Sequence, residues 1–413
     1  MPSSAPRVSV IIASYRWPEA LRTSLDTALA QTVQDIEVLV IEDSSDRASR
    51  AVVAEAHDRR AQWTCLAEGT GSQSGPNQLG WDRARAPVVA YLGHDDVWHP
   101  EHLERLLSVL DPAADAAHAV TVLLGADEDR RLLLAGSSPW EPTTFVPPSS
   151  LAHWRDSPRI GPWTAPEHSS LPVDHAFLVT AHARGARFVT SEAATVFKHP
   201  ASWRLDSYRT RDATPQRRVH ERLRSEPRLG DQLVQEARAA GVAGVLAAPP
   251  IAAPGVIADY NRRLKGLPAR FAPLETRWTP DPSLVFPGWY AMEIDETGRF
   301  AWTGPQERAL VRLDSPGEGK LGVRVKLRQV LSPGQLAELQ VDLDGALVEL
   351  ERSGDPAGEI VLTGWLGRGA RQPTVEVGVS SPVALATVRY PESPDGRLLG
   401  VAVAEIELLD RAH

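Results

Sequence analysis

The sequence has one cysteine, Cys65, so no intrachain disulfide can form. That fits a reducing compartment, and the simplest place for Cys65 is a half-buried strand. Basic residues are outnumbered, 44 Lys and Arg against 53 Asp and Glu, for a net charge of −9. The shortfall argues against a general nucleic-acid binder, which carries a basic face. It does not exclude phosphate ligands, because a bound cation outweighs distant acidic residues. Long apolar runs are missing too. Met1 to Arg7 lacks the apolar core of a signal peptide. The stretch Ala239 to Ala258 is interrupted by Pro249, Pro250 and Pro254, which speaks against a membrane-spanning helix. The expectation is a soluble, cytoplasmic protein that could work at the inner face of a membrane without crossing it. No short-period repeat is visible.

What is present alternates. Apolar, β-branched runs at Val8 to Ile12, Ile36 to Ile41 and Val88 to Leu92 read as buried strands, with a further strand at Gln62 to Ala67. Between them lie helical patterns: Pro18 onward with Leu21, Leu25, Ala28 and Leu29 on one face, Asp46 to Arg60, and Asn77 to Arg85. A fourth starts at Pro100 with Leu103, Leu106, Leu107 and Leu110. The rhythm predicts an α/β domain with a parallel sheet covered on both faces. Residues 137–163 are rich in Pro, Ser and Trp and read as irregular. From about Trp278 the pattern changes to alternation, as in Leu321, Val323, Val325, Leu327 and in Val375, Val377, Val379. Asp344-Gly345 is a hairpin signal between two such runs. That texture predicts an all-β sandwich. At 413 residues the chain exceeds one ordinary core. The division expected is an α/β domain over 1–212, a helical linker over 213–275 and the sandwich over 276–413.

Ligands of open parallel sheets bind beyond the carboxyl ends of the strands. Ala13-Ser14-Tyr15 follows the first strand, Glu42-Asp43-Ser44-Ser45-Asp46 the second, and Gly93-His94-Asp95-Asp96 the run ending at Leu92. One edge thus carries an aromatic ring and two acidic pairs. Asp95-Asp96 is suited to a divalent cation that shares its shell with substrate phosphates and stabilises charge on a leaving diphosphate. A polar turn capping the next helix would use the same residues.

Val8-Ser-Val-Ile-Ile-Ala-Ser-Tyr15, Ile36-Glu-Val-Leu-Val-Ile-Glu-Asp-Ser-Ser-Asp46 and Val88-Val-Ala-Tyr-Leu-Gly-His-Asp-Asp-Val-Trp-His-Pro100 together resemble glycosyltransferase family 2. The resemblance covers roughly the first 210 residues. It implies a GT-A (Rossmann-like) fold and an inverting transfer from a nucleoside diphosphate sugar, assisted by Mn²⁺ or Mg²⁺, to a glycan or glycoconjugate acceptor, as in polysaccharide biosynthesis. By the same resemblance Tyr15 and Asp43 receive the nucleobase, Ala13 is among the donor-binding residues, Asn77 lies under the donor and Asp95 faces the ribose or donor sugar. Asp96 holds the metal, and His199 completes the metal shell. Pro76 stands where the family often has Arg, and His94 where it often has a third acidic residue.

An inverting transfer needs a base for the acceptor hydroxyl. Asp174, in Leu171-Pro-Val-Asp-His-Ala-Phe-Leu178, matches the family's position, with Glu167 and Glu192 as rivals; the competing role for Asp174 is a helix N-cap. His175 could hold a phosphate or simply cap. His153 lies where the family places a histidine in the acceptor region. Lys198, Arg204 and Arg209 could pair with phosphate, although solvated charge is the more ordinary state. Of the 12 tryptophans, Trp98, Trp140, Trp154 and Trp163 fall near the expected acceptor cleft, where flat rings would stack on sugars; core packing explains each equally well. Phe286-Pro-Gly-Trp-Tyr290 and Phe300-Ala-Trp-Thr-Gly304 resemble openings of C-terminal domains on some bacterial polysaccharide glycosyltransferases, which would make the sandwich a carbohydrate-binding candidate. Two alternatives stay open. A nucleotidyltransferase would want a Gly-rich, basic phosphate loop, and Ala13 to Trp17 has none. A glycan-binding protein with a decayed transferase domain would explain Pro76 and His94. The identities of the sugar and acceptor and the oligomeric state are not legible.

Overall fold

The computed structural model describes residues 5–44, 48–125, 131–134, 140–142, 144–200, 207–226, 228–239, 254–264, 267, 269–280, 288–290, 292–304, 306, 308–354, 359–367, 370 and 372–411. Of the residues singled out above, Asp46, Arg204, Phe286 and Pro287 lie outside them, as does the side chain of Arg209. The chain divides into two compact units, Met1–Ala258 and Asp259–His413.

The first unit follows the alternation of its sequence. Its elements are β1 (Val8–Ser14), α1 (Pro18–Leu29), β2 (Ile36–Glu42), α2 (Ala48–Glu55), β3 (Ala61–Cys65), α3 (Ser74–Arg83), β4 (Val88–Gly93), β5 (Asp96–Trp98) and α4 (His102–Val109). Then come β6 (Ala116–Leu124), β7 (Arg131–Leu134), β8 (Leu151–Trp154), α5 (Val173–Ala183), β9 (Phe188–Lys198), α6 (Ser207–Thr210), α7 (Thr214–Ser225) and α8 (Leu229–Ala239). The sheet order is β3-β2-β1-β4-β8-β6-β9-β5, with β7 paired to β6. Strand alternation sends Val8, Val10 and Ile12 to one face, against Leu21 and Leu25 of α1, Val52 of α2 and Leu103 and Leu106 of α4. Ile11, Leu39, Ile41 and Tyr91 form the other face, against Phe177 and Leu178 of α5. At the far side Val97, Val122 and Phe197 pack on Val219 and Leu223 of α7 and on Leu229 and Leu233 of α8.

The sheet is mixed, which corrects the expected parallel one. β1, β2, β3 and β4 are parallel neighbours. β8 then pairs antiparallel with both β4 and β6. Its reversal restores the direction of β6, and β9 runs parallel to β6. The carboxyl ends of β1, β2, β4, β6 and β9 therefore share one edge. β8, which starts after the 3-10 turn Pro148–Ser150, and β5, antiparallel to β9, both begin at that edge.

The second unit is a two-sheet sandwich, as the alternation predicts. One sheet runs in the order 293–295, 298–302, 402–411, 320–329, 360–365, 350–354, with 277–278 added beside 402–411; the other runs 308–314, 374–380, 340–343, 346–348. Leu321, Val323, Val325 and Leu327 face Val341, Val375, Val377 and Val379 across the core. Asp344 and Gly345 turn the hairpin between 340–343 and 346–348 with φ of 51° and 78°, the left-handed pair of a type I′ turn. Stretch 213–275 holds helices up to Leu264 and no helix among its described residues after that, and the helices are shared out: α7 and α8 belong to the first unit, and the helix Val256–Leu264 contains the division point. Buried Asp259 accepts backbone N–H bonds from Arg270, Phe271 and Ala272.

Candidate functional site at the carboxyl edge of the sheet

At the end of β1 the chain turns sharply. Arg16 has a φ of 48°, uncommon for a residue with a side chain, and its N–H donates to Glu42 Oε1 at 2.9 Å. Glu42 is fully buried and also accepts from Ser44 Oγ at 2.8 Å, so it ties the β1 and β2 ends together. Beside it, buried Asp43 uses Oδ1 to accept from Thr70 N (2.6 Å) and Thr70 Oγ1 (2.8 Å). That grip depends on Gly69, where a Cβ would lie 2.6 Å from the Asp43 carbonyl oxygen. Tyr15 is half-buried, with the Arg16 guanidinium 5.6 Å from its ring centre. Ala13 presents its carbonyl to His94 Nδ1 at 3.0 Å. A carbonyl only accepts, so Nδ1 carries the proton.

At the end of β4, Asp95 and Asp96 part company. Asp96 has no exposed surface. Lys198 Nζ donates to its Oδ1 at 3.0 Å and its Oδ2 at 2.9 Å, and Ser149 Oγ donates to Oδ2 as well. The Ser149 hydroxyl in turn accepts from Gly93 N at 2.9 Å. Gly93 leaves the room: a Cβ there would sit 2.7 Å from Asp96 Oδ2. Register explains Lys198, since the start of β5 pairs with the end of β9, Asp96 opposite Lys198. Burial pushes the Asp96 carboxyl up, Lys198 pulls it down, and Asp95 pushes it up again. Burial works against the Lys198 charge, but Asp96, Asp95 and Asp174 together hold the ammonium above its ordinary value.

Asp174 stands in the first turn of α5, half-buried, and accepts from Gln73 Nε2 at 3.3 Å. Burial pushes its carboxyl above the ordinary range, opposed by the His175 backbone N–H, the His175 ring and the Lys198 ammonium. The cap residue of α5 is Pro172, with no side-chain cap bond, so Asp174 is not the N-cap. The edge thus gathers Asp95, Asp96, Lys198 and Asp174 into one electrostatic neighbourhood. Asn77 lies buried on α3, the helix that Gln73 precedes.

Several expectations change. Both Asp96 oxygens accept from the Lys198 ammonium and are closed to solvent, so a divalent ion held by Asp96 would displace Lys198. His199 is buried, with Nδ1 on the Leu124 carbonyl at 3.2 Å. Among the described residues no three His, Cys, Asp or Glu side chains converge as a ligand set. That alone decides little, because Mg²⁺ is often held by one or two carboxylates and substrate phosphates. Asp96 and His199 are the residues expected to hold such an ion, and in this structure Lys198 occupies both Asp96 oxygens. Lys198, expected as solvated charge, is an ion-paired group. His153 is no acceptor-cleft residue: it is fully buried, between the Tyr91 hydroxyl (2.9 Å) and the Trp154 carbonyl (2.9 Å), and burial lowers its pKa to about 4. His175 is buried beside the Trp140 and Phe145 rings. Trp98, Trp140 and Trp163 are core: Trp98 stacks on His102 at 4.3 Å and Trp163 on Phe177 at 4.5 Å. Trp154 is half-buried. Glu167 is exposed on a 3-10 turn. Glu192 is exposed in β9, six residues or about 20 Å of strand back from Lys198 and the site edge. Ser149 and Gln73 carried no sequence signal, since a serine in a proline-rich loop and a glutamine before a helix are ordinary.

Residues 9–144 match the family model described as glycosyl transferase family 2. An uncharacterized glycosyltransferase of Nostoc sp. is 30% identical over 125 residues, which are 30% of this chain and 39% of the relative. The succinoglycan biosynthesis proteins ExoO and ExoW of Rhizobium meliloti are 33% and 36% identical, over 31% and 24% of this chain and 36% and 32% of their own lengths. The matches thus span about two fifths or less of these relatives. Among solved structures, S. aureus TarS 1-349 in complex with UDP-GlcNAc is similar at 17% identity and a TM-score of 0.39, over 47% of this chain and 58% of that one. The mannosyltransferase PcManGT from Pyrobaculum calidifontis in complex with GDP-Man and Mn²⁺ gives 17% and 0.39, over 59% and 78%. The first unit is an α/β domain whose segment 9–144 matches the family model of glycosyl transferase family 2.

Proposed function

We propose that this protein transfers a glycosyl group from a nucleoside diphosphate sugar to a hydroxyl of a glycan or glycoconjugate, with inversion at the anomeric carbon. The observation that carries the reading is the convergence at one sheet edge of Asp43, Asp95 and Asp174, in a domain whose 9–144 segment matches the family model. Asp43 and Tyr15, at neighbouring strand ends, would meet the nucleobase by accepting a base N–H and by stacking. Asp95 would take hydroxyls of the ribose or donor sugar, and Asn77 would lie beneath the donor.

The chemistry follows from Asp174. In an inverting transfer the acceptor oxygen attacks the anomeric carbon opposite the departing diphosphate, and its proton must leave as the new bond forms. A half-buried carboxylate with a raised pKa is a better proton acceptor than an exposed one, and Gln73 fixes its orientation. The base must be ionised, so turnover should fall as pH drops through that raised value. Exopolysaccharide assembly is the context suggested by the relatives named for succinoglycan biosynthesis.

The test is acceptor-dependent release of nucleoside diphosphate. Wild type should release it only with donor and acceptor together. Asp174→Asn keeps the size and polarity but cannot take the proton, so release should collapse. Near wild-type release from Asp174→Asn would exclude Asp174 as the base.

A further inference from the structure

We propose that Lys198 is a leaving-group residue: its ammonium, anchored on Asp96, meets the diphosphate of the donor and supplies a fixed positive charge at the breaking bond. The inference rests on the reading of this edge as a nucleotide-sugar site. Three features of the ion pair carry it. First, the pair is asymmetric. The Asp96 side chain is 0% exposed and that of Lys198 28%, so the lysine is the member of the pair with surface left for an arriving anion. Second, the anchor is built. Asp96 is held by Ser149, Ser149 by the Gly93 N–H, and the carboxylate fits only because position 93 has no Cβ. An ammonium bound to both oxygens of a fixed carboxylate is held in place before any ligand arrives, and such pre-positioned charge stabilises developing negative charge without reorganisation. Third, Lys198 feels the charge of both Asp95 and Asp174, the proposed donor-sugar and base residues.

In the step itself the bond from the anomeric carbon to the diphosphate oxygen breaks, and the electron pair stays on the diphosphate. The acceptor oxygen forms the new bond, and its proton passes to Asp174. Lys198 remains protonated throughout and takes part as charge and hydrogen-bond donor. Unlike a dissociable ion, this charge cannot be removed by a chelator.

The experiment is calorimetric titration of the full chain with UDP, GDP, CDP and ADP and with the matching nucleosides, each in EDTA and in Mn²⁺. Wild type should bind one of the diphosphates measurably in EDTA. Lys198→Met should weaken that diphosphate by about tenfold or more in both conditions, as loss of a charge-assisted bond implies, while leaving the nucleoside unchanged. Lys198→Arg should recover most of the loss. A purely structural Lys198 would lower diphosphate and nucleoside affinity together. Since Lys198→Met leaves Asp96 buried and alone, Lys198→Met with Asp96→Asn is the paired variant, checked by its melting temperature, and should show the same selective loss. If these variants bind the diphosphate as wild type does, or wild type binds it only with Mn²⁺, the Lys198 assignment fails and the transferase reading stands. If wild type binds no nucleoside diphosphate in either condition, the transferase reading fails and takes the assignment with it.

Discussion

The sandwich and the sheet edge of the first unit hold buried acidic side chains in different settings. In the sandwich each is answered locally. Asp314 meets Arg263 at 3.2 Å plus the N–H groups of Ala269 and Glu275, Asp342 meets Arg308 at 2.8 Å, and Glu376 meets Arg312 at 2.8 Å. At the sheet edge of the first unit Lys198 lies in the field of three carboxylates, those of Asp96, Asp95 and Asp174. Balanced buried charge is what a fold needs, because an uncompensated buried charge costs several kcal/mol. Carboxylates and an ammonium gathered where strand ends converge read as a candidate site rather than as an ion pair that only holds the fold.

The contrast can be broken most sharply at Asp174. Asp174→Asn should cut transfer by roughly 10²–10⁴-fold, the usual range for a general base, with donor affinity near normal by calorimetry. The matching variant in the balanced unit is Arg263→Met, which strands buried Asp314. It should cost on the order of 3 kcal/mol in denaturant unfolding and leave diphosphate affinity unchanged. If it instead abolished diphosphate binding, the division into an active edge and a structural sandwich would be wrong.

A smaller effect is expected at the nucleobase end. Asp43→Ala removes the acceptor for Thr70 and the proposed acceptor for a base N–H, and should weaken the preferred nucleotide by about tenfold. Calorimetry with the nucleoside alone checks it, since the loss should appear there too, in contrast to Lys198.

A separate effect concerns pH. Burial lowers His102 to about 3 and His153 to about 4. Unfolded histidine titrates near 6.5. Between these values the unfolded chain binds protons that the folded chain refuses. The stability from these two neutral histidines is therefore present above about 6.5 and lost progressively as pH falls toward 4 and 3. His102→Gln should flatten the acid side of the stability curve of the first unit. An unchanged curve would mean that His102 is not neutral and buried.

The elements were legible where periodicity was strong. Val8, Val10 and Ile12 announced β1, the Leu21–Leu25 face announced α1, and Asp344-Gly345 announced its turn. β8 was not legible, because Leu151–Trp154 is four residues after an irregular loop, and its reversal made the sheet mixed. At the site, strand ends fixed which residues share an edge but not which way they face. Asp95 and Asp96 are adjacent in sequence, yet Asp96 turns inward to Lys198, 102 residues on, through a pairing that no local pattern encodes. Histidines and tryptophans were the least legible, since His153 and Trp98 read equally well as surface or core until their neighbours are known.

The most direct measurement is acceptor-dependent turnover of nucleoside diphosphate sugars by the full chain, with the anomeric configuration of the product read by NMR. One donor should be consumed with inversion, at a rate that collapses in Asp174→Asn. Retention of configuration, or no consumption of any donor by protein that binds the nucleotide, would contradict an inverting glycosyltransferase at this sheet edge.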